Sequence, residues 1–203
     1  MKKPSNFETV QAPGEFNPIK AGGYSCKIMQ VEEMQSKSGL DMLKISIDVA
    51  DGEYKDYYAK LYKADTRQEK KWGGVLYLVV DESTEYGTKN LKGFTTSVEK
   101  SNAGFSIVWG DKFCTTLKGK SIGCLFRKEQ YINTMNETKW ITKPFQFRSV
   151  EGALSADVPE DKYLDGVVTN QGQSNNQGNL NEGFQSAIAE GFQSVIEEEL
   201  PFM

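Results

Sequence analysis

The chain has 203 residues, no histidine, three cysteines and a formal net charge of −4 at pH 7. The lack of histidine excludes His-based catalytic triads, histidine metal sites and histidine general bases. The cysteines match no zinc-binding spacing, and the longest apolar run, residues 75–80, is far too short to span a bilayer. We therefore expect a cytoplasmic protein with reduced cysteines, no metal ion, no cofactor and no membrane partner.

The charge is divided unevenly along the chain. Residues 1–150 carry 23 Lys and Arg against 18 Asp and Glu, a net charge of +5, whereas residues 151–203 carry 1 against 10, a net charge of −9. A basic body suits a phosphate-bearing partner, and an acidic tail can compete for the same surface. We divide the chain into an irregular lead-in (1–23), a folded body (24–150) and a flexible tail (151–203).

The body begins with two predicted β-strands, residues 24–31 and 42–49. In the second strand, apolar residues alternate with polar ones, which is typical of a half-buried strand. The alternation predicts that the core receives Leu43, Ile45, Ile47 and Val49. It predicts exposed side chains for Lys44, Ser46 and Asp48.

A third strand is predicted for residues 56–63, after the turn at Asp51-Gly52. One side of this strand, which includes Tyr57, suits the core. The other side would then expose an aromatic, a basic and a second aromatic residue, namely Tyr58, Lys60 and Tyr62. This prediction places two flat rings and a cation on an open sheet surface.

Residues 65–103 predict a helical insert. Asp65 or Thr66 can cap a helix that continues to Lys70 and is weakened at Gly73-Gly74, and a second helix can start near residues 88–90. Two strands follow at 121–132 and 138–148, joined by a hairpin turn. The resulting order, β-β-β-α-β-β, is mainly β and is what a five-stranded Greek-key barrel of the OB type requires.

The tail contains three distinct stretches. Residues 169–178 are rich in Asn, Gln, Gly and Ser, which predicts a flexible linker. A Gly-Phe-Gln-Ser repeat over 182–196 is either a duplication in a disordered tail or a helix that forms on a partner or between copies of the chain. Three acids then precede Leu-Pro-Phe, and we interpret this tip as a docking element rather than a frayed terminus: Glu197, Glu198, Glu199, Leu200, Pro201 and Phe202.

Single-stranded DNA requires cations for its phosphates and flat side chains for its unstacked bases, where stacking contributes about 1–3 kcal/mol per base. The predicted strands and insert supply both. The candidate nucleic-acid-binding residues are Lys44, Tyr58, Lys60, Tyr62, Trp72, Arg127, Lys128, Lys139, Trp140 and Lys143. Core packing is the better interpretation for most single aromatics, but not for Tyr58 and Tyr62. We find no catalytic constellation and expect no enzyme.

Short motifs in the body resemble a family of small proteins from phages and prophages of Gram-positive bacteria. The motifs are Phe7, Gly14-Glu15-Phe16, Ala21-Gly22-Gly23-Tyr24, Ser36-Lys37-Ser38-Gly39, Met42-Leu43, Asp51-Gly52-Glu53-Tyr54, Leu91-Lys92-Gly93-Phe94, Val98-Glu99-Lys100-Ser101-Asn102 and Leu117-Lys118-Gly119-Lys120. The resemblance covers about residues 5–165. It implies a single-stranded DNA-binding protein encoded among replication and recombination genes and acting in the bacterial host cell.

The acidic tip separately resembles the terminus of bacterial single-stranded DNA-binding proteins, which recruits replication and repair proteins. Those tails end on the Phe, whereas Met203 follows Phe202 here, a departure that bears on the carboxylate contact and leaves the acid-plus-Phe pattern intact. We expect sequence-tolerant binding of single-stranded DNA, self-association, and partner recruitment through the tip. An OB-like adaptor for proteins is the alternative, and a nuclease or annealing enzyme is a third hypothesis that the lack of histidine and of clustered acids disfavours.

Overall fold

Five β-strands form one antiparallel sheet in the computed structural model, which describes residues 2–3 and 17–164. The strands are β1 (Gly22–Gln35), β2 (Asp41–Val49), β3 (Val75–Val79), β4 (Ser121–Ile132) and β5 (Thr138–Arg148), in the spatial order β3-β2-β1-β4-β5. The helices are α1 (Tyr57–Ala64), α2 (Glu85–Ser101), α3 (Phe113–Leu117) and α4 (Val150–Leu154). The predicted mainly-β class is confirmed.

The core lies on one face of the sheet, where alternate residues of the three central strands meet. The alternation predicted for β2 is confirmed for its apolar positions, since Ile45 and Ile47 are fully buried. Neighbouring strands add apolar side chains to the same face: Cys26 and Ile28 from β1, and Ile122, Cys124 and Phe126 from β4. Burial of this continuous apolar surface is the main force that holds the sheet to its helices.

A different helix closes each end of the sheet. The beginning of β1 lies beside the end of β2, since Cys26 pairs with Val49, and beside the middle of β4, since Gly22 pairs with Phe126. Helix α1 follows β2 at this end, which we call the α1 end. Helices α2 and α3 lie between the end of β3 and the start of β4, and α2 buries Phe94 and Val98 at what we call the α2 end.

The strand predicted for residues 56–63 is wrong, because this segment forms α1. The cause is Asp48, which was predicted to be exposed but is only 3% exposed. Its carboxylate accepts hydrogen bonds from the first amides of the helix, Tyr58 N at 2.9 Å and Ala59 N at 3.0 Å. A group on β2 therefore satisfies helix donors that would otherwise lack partners.

The helix predicted from Asp65 through Lys70 is also wrong, because this stretch is a loop. The Asp65 side chain accepts the backbone N–H of Arg67 at 2.9 Å, a local bond that competes with helix formation. Gly74 follows in a tight contact, where a Cβ would lie 2.4 Å from the Tyr58 ring. Strand β3 then lies inside the predicted helical insert, and α2 begins at Glu85, slightly before the expected start.

The predicted hairpin is confirmed, with the bounds of β4 and β5 as expected. Residues beyond 150 also pack on the sheet: Ala153 of α4 covers Gly23 and Gly123, and Lys162 forms a β-bridge with Glu129. The predicted linker, the repeat and the docking tip at 197–202 lie outside the described residues. No helix in the described ranges is long and apolar enough to cross a membrane.

Candidate nucleic-acid interface

Two of the predicted aromatic residues meet at the α1 end. The rings of Tyr62 and Trp72 are 5.8 Å apart between centroids, and Lys70 places its ammonium 5.7 Å from the Tyr62 centroid. Trp72 is fixed by a hydrogen bond of 2.9 Å from its Nε1 to the Ile47 carbonyl on β2. We call Tyr62, Lys70 and Trp72 the α1 group, a pair of rings with a cation beside them.

The other two candidates on α1 have different environments. Tyr58 is 5% exposed and stacks on Phe126 at 6.5 Å, so the prediction that its ring lies on an open surface is wrong. A helical turn, rather than a strand, places Tyr58 and Tyr62 one above the other, with the first inside and the second outside. Lys60 is exposed, and its ammonium donates to the Lys55 carbonyl at 2.7 Å.

The hairpin candidates are divided between the two faces of the hairpin. Because side chains alternate along a strand, Lys128 shares a face with buried Phe126, and Trp140 is on that face too, opposite Gln130. We call this the inner face. The opposite, outer face carries Arg127, Lys139 and Lys143. The sequence placed all five residues on one hairpin, but the pleat separates them into two groups.

Trp140 is the exposed ring of the inner face. It is 43% exposed, and Tyr163 contacts it edge-on at 5.2 Å between centroids. Tyr163 is held there by its neighbours, since Lys162 exchanges backbone hydrogen bonds with Lys128 and Gln130 at 2.8 and 2.9 Å. Trp140 thus forms a perpendicular ring pair with Tyr163, and it lies near the exposed Lys128 on the same face.

The outer face carries a denser group of charges. Arg127 is bonded to Glu129 at 2.9 Å and lies 4.4 Å over the Phe145 ring. Burial lowers the pKa of the half-buried Lys143 ammonium, with Glu129 opposing this effect and Lys162 adding to it. Near the turn, Lys139 pairs separately with Glu137 at 3.2 Å. Cations thus outnumber acids on this face.

Lys44 belongs neither to the α1 group nor to the hairpin. It lies on the solvent face of β2, where its ammonium pairs with Glu32 of β1 at 2.8 Å and its position is opposite Tyr77 of β3. The hydrogen bond that the Lys44 ammonium donates to the Glu32 carboxylate raises the pKa of Lys44. Next to this row lies an apolar one, in which Met42 pairs with Met34 on one side and Val79 on the other.

The candidate residues chosen from the sequence leave out several members of these groups. Lys70 stands two positions before Trp72, and this proximity was a usable signal for its role beside the rings. Tyr163 and Lys162 gave no signal, because only the bridge to Glu129 brings them to the hairpin. Tyr77 lies within the apolar run 75–80, and this run gave no reason to expect the ring on a solvent face. The groups combine residues that are distant in sequence, which local patterns do not reveal.

The described residues show no arrangement typical of metal-dependent catalysis. Within the ranges 2–3 and 17–164, no group of three or more His, Cys, Asp or Glu side chains could hold a metal ion. The Cys26 and Cys124 thiols are buried, and burial raises the pKa of Cys124 well above its usual range. A buried, protonated thiol is a poor nucleophile, since the thiolate is the reactive form.

Residues 5–72 match a family model described as "Protein of unknown function (DUF669)". The matched part includes β1, β2, α1 and the loop to Trp72, and therefore the α1 group, but not the β4–β5 hairpin. No curated protein matches the chain.

Proposed function

We propose that this chain is a sequence-tolerant single-stranded DNA-binding protein of phage replication and recombination, without enzymatic activity. Its body would be an OB-type barrel, and the tail would recruit replication, recombination and repair proteins. The observation that carries the proposal is the presence of rings beside cations at the α1 end. These are the exposed Tyr62 and the half-buried Trp72 of the α1 group, and the exposed Trp140 on the inner face of the hairpin.

The topology supports an OB-type barrel. Strand β1 is shared by two antiparallel ladders, with β2 along most of its length and with β4 near its start. The edge strands β3 and β5 approach each other, as the curvature of such a barrel requires. A five-stranded Greek-key barrel with a helix before its fourth strand has this arrangement, and such barrels bind oligonucleotides.

The buried Tyr58–Phe126 stack supports one continuous binding path. Tyr62 is one helical turn beyond Tyr58, and Lys128 is two residues beyond Phe126 on the same face of β4. Residues one turn apart on a helix have Cβ atoms about 5–6 Å apart, and alternate residues of a strand are about 7 Å apart. The α1 group and the inner face therefore flank one core contact, at a separation that a few nucleotides can span.

The decisive experiment measures binding of fluorescently labelled oligo-dT and of a duplex of equal length by anisotropy. We expect tight binding of oligo-dT, weaker binding of the duplex, and a loss of about tenfold or more in oligo-dT affinity for Tyr62→Ala and for Trp140→Ala. The matched control is Trp109→Ala. Trp109 is 62% exposed and stacks on Phe113 of α3, away from the α1 end, so its removal should leave the affinity unchanged.

Equal losses in all three variants, or no oligo-dT binding by the wild type, would reject the proposed path. The docking tip is tested separately by truncating the chain before Glu197. We expect the truncated chain to bind oligo-dT as well as or better than the full chain, because ten acids against one lysine in residues 151–203 oppose the DNA phosphates. Weaker DNA binding after truncation would contradict the tail's proposed role.

A second function, an adaptor that binds proteins, is favoured by one observation. The solvent face of β3, β2 and β1 carries the apolar row of Val79, Met42 and Met34. Lys44 on the same face is already paired with Glu32. Methionine-rich surfaces adapt to varied protein partners. If the anisotropy experiment finds no DNA binding, this face becomes the better candidate interface, and Met34→Asp tests it without disturbing the core.

A further inference from the structure

The outer face of the hairpin contains an arrangement that sheet formation alone does not favour. Arg127 and Lys143 are directly opposite each other on β4 and β5. Like charges at directly opposed positions destabilise a strand pair. Such a local conflict is expected where a site serves a purpose other than stability.

A third cation joins this pair from a distant part of the chain. The β-bridge between Glu129 and Lys162 is parallel, so both side chains emerge on the outer face, next to Arg127 and Lys143. Glu129, the acid on this part of the outer face, is bonded to Arg127 at 2.9 Å. Within the described residues, neither Lys143 nor Lys162 forms an ion pair. The group of four side chains carries a net charge of +2.

We propose that Arg127, Lys143 and Lys162 form a binding site for a phosphate group on the outer face of the hairpin. A phosphate offers several acceptor oxygens. It would also neutralise the positive charge that remains after Glu129 balances one of the three cations. Arg127 supplies a planar fork suited to a phosphate, and the two lysines supply compact charges. The half-buried position of Lys143 strengthens such contacts, because charges interact more strongly away from water.

This inference extends the proposed function, because the phosphate could belong to the DNA backbone. A free phosphate compound has the same chemistry and is the other source. The first measurement is therefore the affinity of the full chain for pyrophosphate, by calorimetry. We expect Lys143→Met and Lys162→Met each to weaken binding by about tenfold, the effect of losing one charge-assisted hydrogen bond. The control Lys92→Met, an exposed lysine on α2, should leave it unchanged.

Removal of the Glu129 carboxylate provides a test in the opposite direction. Glu129→Gln keeps the shape of the side chain and removes the competing negative charge, so pyrophosphate should bind more tightly. Glu137→Gln removes the same charge from the Lys139 pair on the same hairpin and should have little effect. Tighter binding in both variants to the same degree would show a general charge effect and overturn the site.

Folding of each variant is checked by its thermal midpoint, and Lys162→Met carries the test if Lys143→Met does not fold, since Lys162 is exposed. Unchanged affinity for pyrophosphate in Lys162→Met would overturn the site. Competition between pyrophosphate and oligo-dT supports a DNA phosphate as the ligand, and binding without competition supports a free phosphate compound. If the wild type binds pyrophosphate but no oligo-dT, the proposed function fails while the site stands.

Discussion

The two helices that close the sheet are held in different ways. Helix α2 has 17 residues and its own N-cap, since the Thr84 hydroxyl accepts the Gly87 N–H at 3.1 Å. Helix α1 has eight residues, and its first amides are bonded to Asp48 of β2. The longer helix is specified by its own sequence, whereas the short one depends on the sheet beneath it.

This difference has a functional consequence. Because α1 is fixed to β2 through Asp48 and through the Trp72 bond to Ile47, the exposed Tyr62 ring is held by rigid elements rather than by a free loop. Rigid support of exposed contact residues favours binding, since less conformational freedom is lost when a ligand arrives. The buried residues of α2, among them Phe94 and Val98, close the core at the other end of the sheet.

The largest effect is expected from truncating the buried ring at each end. Tyr58→Ala and Phe94→Ala should each lower the free energy of unfolding by about 3–5 kcal/mol, as for other buried aromatic rings. Urea denaturation at neutral pH measures this effect. Tyr62→Ala, on the same helix, should cost less than about 1 kcal/mol because the ring is exposed. If Tyr58→Ala were as mild as Tyr62→Ala, both rings would lie outside and the comparison would be wrong.

A smaller effect is expected from removing each cap. Asp48→Ala should lower the free energy of unfolding by about 2–3 kcal/mol, because it leaves buried amides of α1 without acceptors. Thr84→Ala should cost about 1 kcal/mol, the usual effect of losing one N-cap bond. Hydrogen exchange of the Tyr58 and Ala59 amides should accelerate in the first variant only. Similar exchange in both variants would mean that α1 does not depend on Asp48.

The same contrast explains how far the sequence could predict the fold. The hairpin of β4 and β5 was predicted with its bounds, and β2 with its apolar face, because each pattern is local. Helix α1 was predicted as a strand, because the alternation of residues 56–63 does not reveal the carboxylate of Asp48, nine positions before the first residue of the helix. The bond between Asp48 and the helix overrides the local pattern.

The candidate interface was predicted only in part for a related reason. The exposed Tyr62 ring meets the half-buried Trp72 ring, and Lys128 lies beside Trp140, as their residue types suggested. Lys162 and Tyr163 reach the hairpin from a segment that was assigned to the tail. Their positions depend on the β-bridge between Glu129 and Lys162, and no periodic pattern in the sequence predicts such a contact.

The cations at the two ends should differ in their effect on the salt dependence of DNA binding. Each phosphate contact on a single strand contributes about 0.7 to the slope of log K against log salt concentration, through counterion release. Lys128→Ala should reduce the magnitude of this slope by about 0.7, whereas Lys92→Ala on α2 should not change it. The measurement is oligo-dT anisotropy over a salt series, and a loss of slope in the α2 variant instead would place the strand at the other end.

The smallest effect is expected in the pH dependence of stability. Burial raises the pKa of Asp48, although the amides of Tyr58, Ala59 and Val49 oppose this by donating to the carboxylate. A carboxyl group with a raised pKa in the fold binds its proton more tightly than in the unfolded chain. Its contribution to stability is therefore complete below the ordinary pKa of 3.8 and is lost as the pH rises through the raised value.

Asp65 provides the opposite case at the same end of the sheet. Hydrogen bonds from Arg67 lower its pKa to about 2, so its contribution is present above the ordinary value and is lost as the pH falls. Urea denaturation over an acidic pH series measures both effects. As the pH is lowered, the free energy of unfolding of the wild type should rise relative to that of Asp48→Asn. Over the same series, it should fall relative to that of Asp65→Asn. Parallel curves for the two variants would mean that Asp48 is solvated, and that α1 is held by packing rather than by a buried cap.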